Sequence, residues 1–155
     1  MNYYLNIGSN IGDRRDILYR AVVALAAGTS GCAVSSIVES EPWGFESDNR
    51  FMNLGVLLVA DCDPQAMLDR IHEIERSLGS AAHRDSEGRY IDRLVDIDIV
   101  AIDDQVIDTS TLQVPHPHLP EREFFLRPMM QLNPCWKHPS TGLTLGEMLD
   151  LLLKK

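Results

Sequence analysis

Apolar residues recur along the chain with two different spacings, which separate predicted strands from predicted helices. Alternating or continuous apolar segments predict strands over residues 3–7, 34–38, 51–60 and 94–100. Apolar positions at helical spacing predict two helices. The first carries Ile17, Leu18, Ala21, Val22 and Leu25, and the second carries Met67, Leu68, Ile71, Ile74 and Leu78. The predicted order is therefore strand, helix, strand, strand, helix, strand.

Local start and stop signals limit these two helices. Asp13 is placed to cap the first helix. Asp63 followed by Pro64 is an N-cap with a proline at the first helical position. Gly79 ends the second helix, because glycine readily takes the backbone conformation that follows a helix.

The remaining segments are predicted to be less regular. Residues 40–50 form a loop with proline and glycine, and residues 79–92 form a polar loop. A short strand is predicted over residues 112–114, and residues 115–120 are too rich in proline for regular structure. Two short helices are predicted near the C-terminal end, over residues 121–130 and 143–153.

This order of elements is the split βαβ arrangement of an α+β protein. It has a mainly antiparallel sheet with both helices on one face, and it leaves the other face of the sheet for a ligand. No internal repeat, low-complexity segment or linker interrupts the pattern. We expect a single domain over residues 1–155.

Composition and charge narrow the classes of function. The 155 residues are 45% hydrophobic and 24% charged, as is usual for a globular protein with a substantial core. A net charge of −9 opposes general affinity for nucleic acid or anionic membranes. The sequence shows neither a secretory signal nor an apolar segment of the ~20 residues needed for a membrane span. We therefore expect a cytoplasmic protein with reduced thiols at Cys32, Cys62 and Cys135.

Two aspartates in the last predicted core strand carry the clearest chemical signal. Asp96 and Asp98 are two residues apart, so both carboxylates emerge on one face of the strand while its apolar residues enter the core. Two such charges repel unless a cation lies between them, and carboxylate oxygens suit Mg²⁺. Arg93 adds a positive group nearby. Carboxylates, Mg²⁺ and an arginine together indicate phosphate chemistry. Alone, a D-x-D pair favours the simpler interpretation of a solvated acidic strand face, because short motifs often match by chance.

Five sequence runs carry a family resemblance. They are, in order, LNIGSNIGDR, ESEPWGFESDNRFMN, IHEIERSLG, RLVDIDIVAIDDQVI and VPHPHLPEREFFLRPMMQLNP. Their order and spacing resemble the 6-hydroxymethyl-7,8-dihydropterin pyrophosphokinase family of folate biosynthesis, from Tyr4 to about Gly142. The resemblance implies a ferredoxin-like enzyme that moves the β,γ-diphosphate of ATP onto the hydroxymethyl group of the pterin and releases AMP. It also implies a monomer whose ligands are small molecules.

The resemblance assigns residues to ATP and to the metal. Asp96 and Asp98 would bind two Mg²⁺ ions that hold the triphosphate, with Arg93 on the phosphates. The implied ATP-binding residues are His72, Glu75, Arg84, Arg93, Ile99, His116 and Arg122. Without the resemblance, His72 and Glu75 would be taken for a solvated helix face. His116 and His118 could instead form a Zn²⁺ pair, but no third soft ligand lies nearby in sequence.

The resemblance also assigns residues to the pterin. A flat heterocycle is held well between aromatic faces with hydrogen bonds to its edge. Phe51 and Phe124 match the stacking pair of the family, and Asn53 matches the amide that reads the ring edge. The adjoining substrate-binding residues are Asn10, Ser40, Glu41, Pro42 and Trp43. Taken alone, either phenylalanine is compatible with core packing.

The loop after the second helix departs from the family pattern. Family members commonly carry Gly-Arg there, whereas Gly79 is followed by Ser80 in this chain. One catalytic arginine is therefore missing from its expected position. Arg84 and Arg89 are the candidates to supply the charge, and Arg84 is preferred because it lies nearer to Gly79.

Two other classes of function are compatible with parts of the pattern. A nucleotidyltransferase with D-x-D in a palm-like sheet would release diphosphate rather than AMP. A non-catalytic ferredoxin-like sensor would bind a small molecule and turn over nothing. Product identity separates the three hypotheses.

Overall fold

A five-stranded antiparallel sheet forms the centre of the molecule. The computed structural model describes residues 1–43, 49–79 and 94–155. The strands are β1 (Asn2–Ser9), β2 (Gly31–Val34), β3 (Val38–Ser40), β4 (Phe51–Val59) and β5 (Asp96–Ile102). They lie in the order β2-β4-β1-β5, and β3 pairs with the beginning of β4. β5 is therefore an edge strand, with β1 as its neighbour.

The helices lie on both faces of this sheet. They are α1 (Arg14–Ala26), α2 (Pro64–Ser77), α3 (Glu123–Leu132) and α4 (Leu145–Leu153). A single 3₁₀ turn, Leu119–Glu121, precedes α3, and a two-stranded ribbon of β6 (Ile107–Asp108) and β7 (Gln113–Val114) follows β5. None of the helices in the described ranges is both long enough and apolar enough to cross a membrane.

The predicted helix starts are confirmed. The side chain of Asp13 accepts a hydrogen bond from the backbone N–H of Asp16 at the start of α1. Asp63 does the same for Ala66 at 2.8 Å, with Pro64 as the first residue of α2. These bonds satisfy N–H groups that have no partner within the helix.

The predicted strand over residues 34–38 is wrong in its position. β2 ends at Val34 and β3 begins at Val38, so the predicted strand falls mostly on the break between them. The reason is Ser35, whose Oγ accepts a hydrogen bond from the backbone N–H of Gly55, while its own N–H donates to Gly55 O. The Ser35 side chain thus takes the place of a backbone carbonyl as the acceptor for Gly55 N–H, and regular strand pairing stops at this residue.

Alternation along the strands divides the apolar residues between two cores. One core lies between the sheet and α1 and α2, and it includes Ile97 and Ile99 of β5 as predicted. The second core lies between the opposite face and α3 and α4, around Phe125, Leu126 and Trp136. The expectation that the whole opposite face is left for a ligand is therefore corrected. α3 and α4 cover part of it, and the remainder is exposed to a cavity.

A bulge in β5 separates the covered part of that face from the rest. The pairing of β1 with β5 shifts by one residue between Tyr4 and Leu5, which face Ala101 and Ile99 respectively. Val100 is the extra residue, and its carbonyl oxygen accepts a hydrogen bond from the backbone N–H of His116 at 2.8 Å. Bulges commonly redirect side chains next to functional sites. Here the bulge ties the segment containing His116 to the sheet.

Candidate functional site

A cavity of about 230 Å³ opens over the part of the sheet that α3 and α4 leave uncovered. It receives side chains from β1, β3, β4 and β5 and from the segment that leads into α3. Its lining consists of Asn6, Gly8, Ser40, Glu41, Trp43, Phe51, Asn53, Asp96, Asp98, His116, His118, Arg122 and Phe124. Most of the residues assigned by resemblance to the metal and the pterin are brought together here.

Strand register builds the floor of this cavity. Asn6 lies opposite Asp98, and Gly8 lies opposite both Asp96 on one side and Asn53 on the other. A Cβ atom on Gly8 would come within 3.3 Å of Asn53 Oδ1. The glycine therefore lets the polar groups of three strands approach one another on one face of the sheet.

Asp98 faces a histidine and an arginine. Asp98 Oδ1 lies 4.0 Å from Nε2 of His116, and Asp98 Oδ2 lies 4.0 Å from Nη1 of Arg122. Both distances are too long for a hydrogen bond and short enough for a strong charge effect. Asp96 and Asp98 project from β5 to the same side, as alternation predicts.

His116 is neutral in this setting. Burial lowers the pKa of His116 to about 3, and the positive charges of Arg122 and His118 act in the same direction. The Nδ1 atom of His116 accepts a hydrogen bond from the backbone N–H of His118 at 3.1 Å. A neutral ring that accepts at Nδ1 carries its proton at Nε2. His116 thus presents an N–H donor toward Asp98 rather than a positive charge.

Aromatic rings enclose the guanidinium group of Arg122. Its Cζ atom lies 4.1 Å from the centre of the Trp43 ring, 4.9 Å from that of Phe125 and 5.6 Å from that of Phe124. The Trp43 ring also lies 4.8 Å from that of His118. A flat cation therefore occupies an aromatic slot at the rim of the cavity. Arg122 lines this cavity and not the second cleft, although resemblance assigned it to ATP.

Hydrogen bonds orient the amide of Asn53. Its Nδ2 atom donates to Val38 O at 3.1 Å and to Ser40 Oγ at 2.8 Å. Both donor positions are used, so the amide oxygen faces Gly8 and the floor of the cavity. Phe51 lies two residues earlier on the same face of β4 and is 7% exposed. This part of the cavity offers an aromatic face beside a fixed hydrogen-bond acceptor.

A second, more open cleft of about 480 Å³ adjoins the first. It is lined by Leu68, His72, Ile97, Asp98, Ile99, Thr109, Ser110, Thr111, Leu112, Gln113, His116 and Pro117. His72, Ile99 and His116, three of the residues assigned to ATP, are therefore on this side. Asp98 and His116 line both hollows, so they stand where the two meet.

Glu75 lies outside both hollows. It is 2% exposed, and its Oε2 atom accepts a hydrogen bond from the backbone N–H of Ile97 at 2.9 Å. β5 is an edge strand, so this N–H points away from β1 and needs a partner of its own. Glu75 therefore supports the strand that carries Asp96 and Asp98, and its assignment to ATP stays a prediction.

Several other assigned residues lie outside the two main hollows or outside the described part of the chain. Asn10 lines a separate hollow, where it donates to Asn49 O at 3.4 Å, and Pro42 lines neither of the two main hollows. Glu41 lines the first cavity, and its carboxylate pairs with Arg50 at 3.1 Å. The calls that fall outside the described residues are Arg84, Arg89 and Arg93.

Sequence reasoning missed three residues that line the first cavity. They are Asn6, Gly8 and His118. Asn6 and Gly8 alternate with the apolar residues of β1, so the same period of two that placed the aspartates would have placed them on the ligand face. His118 is marked by the sequence only as a possible Zn²⁺ ligand.

The donor set fits a hard cation. Among residues 1–43, 49–79 and 94–155, no three His, Cys, Asp or Glu side chains come together as a metal cluster. Two carboxylates on one strand face remain, and Mg²⁺ is usually bound by one or two carboxylates together with water and substrate phosphates. The site therefore suits an ion that arrives with a phosphate ligand better than a closed structural metal site.

The fold and the site define an α+β protein in which a cavity lined by aromatic rings and two carboxylates adjoins a second, more open cleft. Comparisons with known proteins agree with this class. The family model described as 7,8-dihydro-6-hydroxymethylpterin-pyrophosphokinase (HPPK) matches residues 4–134. The chain belongs to this family.

Relatives and solved structures support the same conclusion. A 2-amino-4-hydroxy-6-hydroxymethyldihydropteridine pyrophosphokinase of Aquifex aeolicus is 35% identical over 136 residues, covering 88% of this chain and 82% of that protein. The protein of that name from Porphyromonas gingivalis is 37% identical over 138 residues, covering 88% and 92%. A crystal structure of an HPPK-DHPS in complex with substrates superposes with a TM-score of 0.71 at 14% identity. It covers 99% of this chain, which spans 43% of that longer chain, and it supports the ferredoxin-like fold.

Proposed function

We propose that this chain transfers the β,γ-diphosphate of ATP to the hydroxymethyl group of 6-hydroxymethyl-7,8-dihydropterin and releases AMP, a step of folate biosynthesis. Family membership supports the reaction class. The observation that carries the proposal is the position of Asp98 and His116, which line both hollows. One substrate in each hollow would bring the two reacting groups together beside the carboxylates.

The first cavity is the proposed site of the pterin. Phe51 and Phe124 offer aromatic faces, and the amide oxygen of Asn53 is fixed by its two donor bonds and can accept from the ring edge. The flat guanidinium group of Arg122 stacks over the Trp43 ring in the structure. We expect a planar pterin to stack between aromatic rings of this cavity in a similar way.

The second cleft is the proposed site of ATP. His72 and Ile99 line its wall, and the neutral ring of His116 offers its Nε2–H to a phosphate oxygen at the junction. In this arrangement the triphosphate would lie next to β5. The nucleoside would then extend toward Thr109 and Thr111.

Asp96 and Asp98 would hold Mg²⁺, and two ions are proposed. Bound Mg²⁺ neutralises phosphate charge and positions the groups that react. The chain itself would supply the two carboxylates, the His116 donor and the arginines. Arg93 and Arg84 remain proposed phosphate-binding residues by resemblance.

The reaction proposed is a direct displacement at phosphorus. The hydroxymethyl oxygen of the pterin forms a bond to the β-phosphorus of ATP, and the bond from that phosphorus to the oxygen bridging the α-phosphate breaks. AMP leaves with the bridging oxygen, and the hydroxyl proton passes to solvent. Enclosing both ligands against β5 would bring the attacking oxygen into position, and positioning together with charge neutralisation supplies most of the rate in such transfers.

Product analysis tests the proposal. The protein is incubated with Mg²⁺, ATP and 6-hydroxymethyl-7,8-dihydropterin, and the nucleotides are separated by chromatography. AMP formed only when the pterin is present supports the proposal. Release of diphosphate would indicate a nucleotidyltransferase, and no conversion of ATP would indicate a binding protein.

A further inference from the structure

A proline interrupts the hydrogen bonding of α3. The helix spans Glu123–Leu132 and contains Pro128 in its interior. In an α-helix, the N–H of each residue donates to the carbonyl oxygen four residues earlier. Proline has no N–H, so Pro128 cannot donate to the carbonyl oxygen of Phe124. That carbonyl belongs to a residue that lines the first cavity.

A side chain from the sheet supplies the missing donor. The Nδ2 atom of Asn6 donates to Phe124 O at 2.7 Å, across 118 positions of sequence. Asn6 is 3% exposed and lies on β1 directly opposite Asp98 of β5. The bond therefore links the floor of the cavity, next to the proposed metal site, to the first turn of the helix above it.

Pro128 also lies where the helix approaches the sheet closely. A Cβ atom on Gly55 of β4 would come within 2.6 Å of Pro128 Cβ, so this approach requires glycine on the strand. The two contacts are one helical turn apart. Pro128 seats α3 against β4, and Phe124 O is held by β1.

We infer that Asn6 is a positioning residue for the pterin site, where it replaces the N–H that Pro128 lacks and holds Phe124 against the cavity. Its effect on substrate rests on the proposed function. Without Asn6, the carbonyl oxygen of Phe124 would lose its donor from the sheet and would still lack the N–H of residue 128. The first turn of α3 would then be free to shift, and the Phe124 ring would shift with it.

The test is a double-mutant cycle with Asn6→Ala and Pro128→Ala. Pro128→Ala restores a backbone N–H that can reach Phe124 O, and it keeps the Cβ atom that contacts Gly55. We expect Asn6→Ala to raise the KM for 6-hydroxymethyl-7,8-dihydropterin about tenfold, the scale of a lost buried hydrogen bond. The KM for MgATP should stay within about twofold. In the Pro128→Ala background, the same change should raise the pterin KM by less than about threefold.

Tyr4→Phe provides a matched control. The Tyr4 hydroxyl accepts a hydrogen bond from Asn133 Nδ2 at 2.9 Å, which links the same strand to the other end of the same helix. This variant also removes one hydrogen bond between β1 and α3. It should lower stability to a similar degree and leave the pterin KM unchanged.

Two results would overturn the inference. One is an equal rise in pterin KM from Asn6→Ala in both backgrounds, and the other is an equal rise from Tyr4→Phe. The proposed function fails separately, if the wild-type protein forms no AMP. In that case the inference is tested by urea unfolding of the wild type, Asn6→Ala, Pro128→Ala and the double variant. A smaller loss of stability from Asn6→Ala in the Pro128→Ala background supports the inference, and additive losses refute it.

Discussion

The carboxylate of Asp98 lies 4.0 Å from Nε2 of His116, at the point where the two hollows of the site meet. Because burial lowers the pKa of His116 to about 3, this contact is not an ion pair at neutral pH. It brings a negative oxygen and a neutral N–H donor to the same place. Such a pair suits a site where a metal and a phosphate bind together.

The first prediction concerns the carboxylates. Asp96→Asn and Asp98→Asn keep the shape of the side chain and remove its charge, so each variant should fold but lose at least about 10²-fold in kcat. AMP formation at saturating Mg²⁺ measures the effect, and circular dichroism checks the fold. Asp150→Asn, an exposed position on α4, is the control and should retain activity. Near wild-type turnover by Asp98→Asn would show that the metal assignment is wrong.

The second prediction concerns the aromatic wall. Phe124→Ala removes a ring that lines the first cavity, so it should weaken pterin binding by about 1 to 3 kcal/mol through lost stacking and burial. MgATP affinity should change little, because Phe124 does not line the second cleft. Equilibrium titration with each ligand measures the two effects. Equal weakening of both ligands would contradict separate sites.

The third prediction uses Trp43 as a reporter. Its ring lies against Arg122 and His118 at the rim of the first cavity, so pterin binding should change its emission. The measurement uses the dihydropterin with a non-hydrolysable ATP analogue. Trp136 is buried in the second core, and Trp136→Phe removes its background signal. An unchanged spectrum from this variant would place the ligand away from Trp43.

The fourth prediction separates two roles for Glu75. Its carboxylate accepts from the backbone N–H of Ile97, so Glu75→Ala should lower the free energy of unfolding by about 1 to 3 kcal/mol. Glu75→Gln keeps an acceptor oxygen, and it should lose less stability and retain the KM for MgATP. Glu73→Ala, exposed on the same helix, is the control for both measurements. A large rise in the KM for MgATP in a stable Glu75→Gln protein would instead support direct contact with ATP.

The fifth prediction addresses the missing arginine. Arg84→Ala or Arg89→Ala should reduce kcat about 10²-fold or more with little change in MgATP affinity, because a cation that acts mainly in the transition state affects turnover more than binding. We expect the larger effect from Arg84. If the two single variants and the double variant stay within a few-fold of the parent, neither arginine acts in catalysis.

Features that depend on neighbouring residues were predictable from the sequence. The caps at Asp13 and Asp63 follow from side chains that reach N–H groups within three residues. The shared face of Asp96 and Asp98 follows from the alternation of any strand. Both are local properties of the backbone, and the structure reproduces them.

The tertiary structure alone decided which distant groups would meet. The break after β2 depends on Ser35 bonding to Gly55, and the covered part of that sheet face depends on where α3 and α4 pack. The partners of Glu75 and Asn6 lie 22 and 118 positions away in sequence. The sequence shows from Pro128 that the carbonyl oxygen of Phe124 lacks the N–H donor of residue 128. Only the docking of α3 on the sheet determines that Asn6 provides the replacement, because that choice depends on which strand lies beneath the first turn of the helix.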